Sequence, residues 1–535
     1  MLKSANFNAN TIVLMVVLLL GLILAVVVGD SVATGRYVYI AIAVFVLLGM
    51  PLGLKLGTNF WLLIVLTMTA SGRLGFIPLP INLSEIGVMA AALLFLLNGV
   101  LRRVDVKVPL RFADVLVFLN LAWLVVTFLK NPTGLSFLGS DMVGARKYVD
   151  MSMAFISYFV LSRCRIPSKM AYFLPIWIAL GMAAPSALQV VATVSPELGE
   201  YINRIYNVRV QSAAQALSTQ GAMGADERVF GLETTALPFF VAMCAYYAPV
   251  TFINPLHPLR VLALVVTFIL VGLSGFRSYL LAMAGYMVAS TWLRGRTRDF
   301  IPLAVVALLG VIALAGAVQS GVPVPLTIQR ALTVLPLGWD AEAMKTAETT
   351  TNWRLDMWRD AWNDPNYFKD KIVGDGFGFT QQELLLFANE MIGMQGLTGV
   401  SNTYEMFIIR GSLHNGPLSS IRYGGFVGLI LLTTLMIGTA IYAVKVVRAS
   451  IGTVYTPMAF FIAIPLIYGP FAFFAIIGAY DNQMSQYFLG VGMLNLIDRS
   501  LPKSLGVSSQ SRTQPTYTRA AISSGTIPVS AARLR

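Results

Sequence analysis

His414 is one of only two histidines in the chain, and it stands where a polar stretch gives way to an apolar, glycine-dotted one, GSLHNGPLSSIRYGGFVGL at 411–429. A neutral imidazole is a general base suited to pH near 7. Asn415, beside it, can fix a tautomer or bind a sugar hydroxyl. Gly424 and Gly428 follow at a four-residue spacing that lets another helix approach closely, with Gly425 between them. Three arginines are candidates to complement such a base by holding an anion. Arg277 lies in VGLSGFRSYLLAM between two apolar runs, Arg354 heads NWRLDMWRDAWNDP, and Arg228 lies in DERVFG. A guanidinium binds phosphate through two parallel hydrogen bonds, so two of them could clamp a diphosphate. Each residue also has a plainer reading: a histidine marking a helix start, an arginine snorkelling to headgroups, a solvated helix charge.

What is missing narrows the chemistry further. The sequence between the apolar runs contains no Asp-x-Asp pair and no His/Cys cluster, so no divalent metal site and no metal cofactor is expected. Nor is there a Gly-x-Ser-x-Gly nucleophile elbow. Cys164 and Cys244 fit neither a disulfide framework nor a metal-ligand spacing. A reaction run by these residues needs a leaving group that is already good.

The elements that must position them are membrane helices. Of 535 residues, 57% are hydrophobic and only 12% charged, and the mean hydropathy is +0.73. That composition describes an all-α polytopic membrane protein. Apolar runs centre near Leu20, Phe45, Ile64, Ala92, Leu121, Phe155 and Ile178, then near Cys244, Val266, Met287, Ala307, Leu431, Pro465 and Leu489. This gives about 12 to 14 transmembrane helices. The first run follows a weak n-region without a small-residue cleavage site and is expected to be retained.

The net charge of +13 reflects topology, and no nucleic-acid partner is expected. Alternate connectors are basic: Arg102, Arg103, Lys107 and Arg111; Arg163, Arg165 and Lys169; Arg294, Arg296 and Arg298; Lys445 and Arg448. Placing them in the cytoplasm puts both termini there too and exports residues 195–232, 274–278 and 319–413. The last segment carries seven Lys or Arg against eleven Asp or Glu, an acidic loop in a basic protein. It is not featureless. Arg354, Trp358 and Trp362 recur at four-residue spacing before Asp364 and Pro365, which predicts a helix with one aromatic face, lying on the membrane or packed against the spans. GDGFG at 374–378 reads as a turn. The tail, 501–535, is rich in Ser, Thr, Pro and Arg without acidic residues and is expected to be disordered in the cytoplasm.

Taken together, these residues resemble a family. His414 and Asn415, nine residues, Gly425, two residues and Gly428 are similar to the His-[Asn/Ser/Gln]-x9-Gly-x2-[Gly/Thr/Tyr] pattern of bacterial O-antigen ligases, whose superfamily includes O-antigen and exopolysaccharide polymerases of the Wzy type. LSGFRSYLLAM resembles that family's Ser-x-Ser-Arg span start, with Phe276 in place of the second serine. NWRLDMWRDAWNDP followed by GDGFG resembles its Arg, Trp, Pro, Gly-x-Gly segment. The likeness covers residues 225–500. Residues 1–224 share only a many-span layout, and about fourteen spans exceed the family's usual twelve or so.

The resemblance implies a glycosyltransferase of the bacterial inner membrane working at its periplasmic face. Its donor would be a glycan on undecaprenyl diphosphate, and its acceptor a sugar hydroxyl on a second lipid-linked chain or on the lipid A core. His414 would be the base, and Arg277, Arg354 and Arg228 would hold the diphosphate. Asn415, Gly425 and Gly428 would support them. Chain-length regulators or other export proteins are the expected protein partners. A polymerase of O-antigen or exopolysaccharide repeat units is the leading reading and a ligase to lipid A core the alternative. A polysaccharide or lipid transporter, with the arginines lining a solute path, is the reading of another class.

Overall fold

A computed structural model describes residues 55–67, 72–74, 82–100, 110–133, 144–207, 231–333, 335, 337–378, 408 and 413–502. The expected spans near Leu20 and Phe45, the candidate Arg228, residues 379–407 of the large loop and nearly all of the tail lie outside the described residues.

The first half contributes α1 (Leu62–Thr67), α2 (Leu83–Val100), α3 (Phe112–Lys130), α4 (Arg146–Leu161), α5 (Leu174–Val194) and α6 (Pro196–Ile205). Then come α7 (Leu232–Tyr246), α8 (Pro258–Leu273), α9 (Arg277–Leu293), α10 (Phe300–Gln319), α11 (Leu326–Leu332) and α12 (Ala341–Asn363). The last three are α13 (Gly416–Ser450), α14 (Thr456–Ala475) and α15 (Tyr480–Ser500). A two-residue antiparallel ladder joins Arg73–Leu74 to Tyr206–Asn207. The chain is an all-α polytopic membrane protein. Every apolar run whose centre lies in the described residues is centred inside a helix. Six helical stretches are long and apolar enough to cross a bilayer: Leu83–Val100, Phe112–Lys130, Leu174–Ala192, Thr297–Gln319, Gly416–Ser450 and Thr456–Ala475.

Prolines inside α5 (Pro185), α7 (Pro238) and α14 (Pro465, Pro470) are of a kind membrane helices tolerate, because neighbours re-satisfy the freed backbone groups. Along α10, Val305, Leu308, Leu309 and Ile312 are exposed. A soluble protein would bury such a face; here it requires lipid.

Helices on both sides of residue 225 share one core. α4 runs along α15, α13 against α3, α14 and α15, and α7 against α5 and α14. One end of this bundle is fixed by a buried polar network. Asp114 accepts from Tyr158 Oη and Asn495 Nδ2, both at 2.8 Å. Asn495 also donates to Ser162 at 3.0 Å and accepts from Arg111 at 2.6 Å, while Arg111 pairs with Asp498 and donates to Tyr442. Residues of α3, α4, α13 and α15 thus meet, and the burial of these polar groups is offset by mutual hydrogen bonding. At the other end of the same four helices stand Lys130, Lys147, Gly416 and Tyr480.

Candidate active site at a broken helix

α13 is not one continuous helix. At Gly425 the backbone turns to φ 68°, ψ −175°, a region open in practice to glycine alone. The break interrupts the hydrogen-bond ladder, so carbonyls before it and N–H groups after it need new partners. Residues 371–376, the turn before and through GDG, supply them. Asp375 N donates to Arg422 O at 2.7 Å and Gly376 N to Tyr423 O at 3.1 Å. In return Phe426 N donates to Lys371 O at 2.8 Å and Val427 N to Ile372 O at 3.3 Å. The remaining carbonyl, Gly424 O, accepts from the indole of Trp123 at 2.7 Å.

The approach is close enough to require glycine on both sides. A Cβ on Gly425 would stand 2.0 Å from Ile372 O, and one on Gly374 (φ 88°) 2.5 Å from Gly425 N. The reading of Gly424 and Gly428 as a spacing that admits another helix fits Tyr480 of α15 and Trp123 of α3, and the backbone break at Gly425 adds to it. Gly425 receives a backbone turn, whereas Gly424 and Gly428 receive the Tyr480 and Trp123 side chains.

The turn is fixed from the bundle as well. Asp370 caps it by accepting from Ile372 N at 2.9 Å and Val373 N at 3.0 Å. Its carboxyl is held down at about 2, first by the Lys130 hydrogen bond and then by Val373 N. Asn131 donates to Asp375 O at 2.5 Å and Lys130 to Gly374 O at 3.1 Å. Phe377 inserts between Tyr423 and Tyr480, with ring centroids 4.4 Å and 6.0 Å away. Lys147 covers Tyr423 at 4.5 Å from the ring centroid and lies 3.4 Å from Asp481.

His414 lies just ahead of α13, eleven positions before the break (425 − 414). Its φ of 49° makes it the one non-glycine residue with positive φ among the described residues. Such strain gathers at functional sites. Asn415, next in the chain, is the N-cap of α13, its side-chain oxygen accepting from Leu418 N at 3.0 Å with Pro417 in the first turn. That oxygen caps the helix, a bond that uses one of its two lone pairs and leaves the amide nitrogen out.

The aromatic helix is longer than its stripe. α12 begins at Ala341, capped by Asp340, and its tryptophan face packs against the segment that carries His414. Trp358 donates to Leu413 O at 2.6 Å, and Met357, Ala361, Phe368, Leu413 and Ile421 form a small core beside it. Half-buried Arg354 lies one turn before Trp358. The imidazole of His414 is pushed down to about 4, by burial first and by the Arg354 charge second. The structure thus brings Arg354 and His414, sixty positions apart (414 − 354), into one electrostatic environment.

Arg277 is placed differently. It opens α9 after the Gly275 turn (φ 72°), on a helix packed against α7, α8, α11, α13 and α14. Sequence reasoning missed Trp123, Lys147, Phe377, Tyr423 and Asp481, all parts of the frame that holds the turn. Only a glycine pair inside an apolar run signalled the break. Among the described residues no three His, Cys, Asp or Glu gather as a metal would require.

No protein-family model matches the chain, and no curated protein matches it either.

Proposed function

We propose that the chain is a membrane glycosyltransferase related to the O-antigen ligases and Wzy-type polymerases. It transfers a glycan from undecaprenyl diphosphate to an acceptor sugar hydroxyl at the periplasmic face of the bacterial inner membrane. The observation that supports this reading is a strained, half-buried His414 that lies within the electrostatic reach of Arg354, beside the packed face of α12. The two residue types are those a base and a diphosphate clamp demand.

In the proposed reaction the acceptor hydroxyl oxygen attacks the anomeric carbon of the donor sugar. The bond from that carbon to the diphosphate oxygen breaks, with inversion, and the hydroxyl proton passes to the imidazole of His414. Undecaprenyl diphosphate leaves with the bonding electrons, and Arg354 and Arg277 stabilise the growing charge. An imidazole held near 4 is a weak base by itself. A diphosphate seated at Arg354 offsets the positive charge that depresses it, so donor binding strengthens the base where it is needed.

The polymerase form of this function is tested with purified protein and labelled undecaprenyl-diphosphate repeat units as donor and sole acceptor. A ladder of products supports polymerisation, and transfer only when lipid A core is added supports a ligase. His414→Ala is expected to lower turnover roughly 10²- to 10⁴-fold. Wild-type turnover in that variant removes His414 as the base, and absence of transfer to either acceptor removes the reading.

A further inference from the structure

A chamber of about 690 Å³ lies among α2, α4, α5, α7, α14 and α15, within the size range of small-molecule sites. Its wall is divided. At one end it is lined by Asn82, Ser84, Asp150, Asn482 and Gln486, and deeper in by Met153, Val241, Phe461 and Met493. On α15 alone, eleven residues separate Asn482 from Met493, about 16 Å along the axis.

The polar end is rich in acceptors. Asn82 is only 7% exposed, and its side-chain oxygen has no hydrogen-bond partner. Asn82 precedes α2, where an asparagine usually turns that oxygen back to cap the helix; here the Glu85 carboxylate reaches back to Asn82 N at 2.7 Å, and the amide is left to the chamber. The charges around it balance towards the negative. Glu85 and Asp150 both line the chamber, and the single Arg146 lies 2.5 Å from Glu85 and 3.2 Å from Asp150. A phosphate brings only acceptors and negative charge to such an end. A hydroxyl brings the donor that Asn82 lacks.

We propose that the chamber is a binding site for an amphiphile with an uncharged, hydroxyl-bearing head and an aliphatic chain, the head at Asn82, Asp150 and Asn482 and the chain along Met153, Phe461 and Met493. None of its lining residues belongs to the His414 segment or to α12, and the proposal does not rest on the reaction assigned there.

The test uses the full chain in nanodiscs and a photoreactive dodecyl glucoside with a diazirine on its chain, against the same chain carrying a phosphate or an ammonium head. The glucoside should label α4 and α15 peptides saturably, about tenfold above the phosphate probe, as one unmet buried polar group is worth. Unlabelled dodecyl glucoside should displace it. Displacement by dodecylglycerol as well assigns the site to any polyol head, and displacement by the glucoside alone to a sugar. Asn82→Ala should narrow the advantage of glucoside over phosphate, and Leu237→Trp, which fills the chamber, should abolish labelling. Equal labelling by the phosphate or ammonium probe overturns the proposal, as does unsaturable labelling spread over lipid-facing helices such as α10. Unaltered labelling in both variants overturns it too.

Discussion

A side chain other than glycine held at φ 49° costs on the order of 1–3 kcal/mol, so His414 occupies a position where the fold tolerates strain. His414→Gly should relieve the backbone while removing the imidazole. The expected outcome is a melting temperature unchanged or raised, with turnover down roughly 10²- to 10⁴-fold. The acid limb of kcat/KM should fall near pH 4, the value burial and Arg354 impose, and not near 6.5. On the proposed reaction the limb of kcat should sit higher, because a diphosphate bound at Arg354 would cancel its charge. Arg354→Gln should raise the imidazole in the free protein as well, followed by the ring-proton shifts in NMR. The linkage has a definite sign. Because folding lowers this group from 6.5, its contribution to stability is complete above pH 6.5 and is lost as pH falls towards 4.

The break in α13 sets expectations that a straight helix would not. Gly425→Ala meets both a forbidden conformation and Ile372 O at 2.0 Å, and should cost well beyond the roughly 1–3 kcal/mol of backbone strain alone. Gly452 also has positive φ (82°) but nothing within 4 Å of a Cβ, so Gly452→Ala should cost only about 1–2 kcal/mol. Denaturation of the two variants side by side separates docking from strain. Trp123→Phe removes the donor to Gly424 O and should cost about 1–3 kcal/mol. The spans were legible because a long apolar run leaves a trace at every residue. The tryptophan stripe likewise predicted the second half of α12, but the buried face of its first half, AEAMKTAETTT, is made only of the small side chains Ala343 and Ala347, too weak a pattern to announce it. The break was hidden for the opposite reason. Hydropathy runs on undisturbed through Gly425, and the groups that repair it lie some fifty residues earlier (425 − 374), joined by main-chain bonds that have no period.

Across the whole molecule, the docked turn and the Asp114 network hold opposite ends of α3, α4, α13 and α15. Asp114 and Lys130 are sixteen residues apart on α3, about 24 Å. Asp114→Ala should therefore lower thermal stability by about 1–3 kcal/mol and leave turnover per folded molecule unchanged; a parallel fall in both would mean the two ends are coupled. The Lys130 end bears on what can be inherited. Four of the bonds that seat the turn join peptide groups, and any amino acid but proline carries the same peptide N–H and C=O. Lys371, Ile372 and Val373 could be exchanged for other residues without altering those bonds, so long as the glycines at 374 and 425 stay. A centre written mostly in main chain leaves few letters for descent to preserve. Its relatives can drift until only a histidine, an arginine and scattered glycines remain in common, and it is by backbone shape that they would be known.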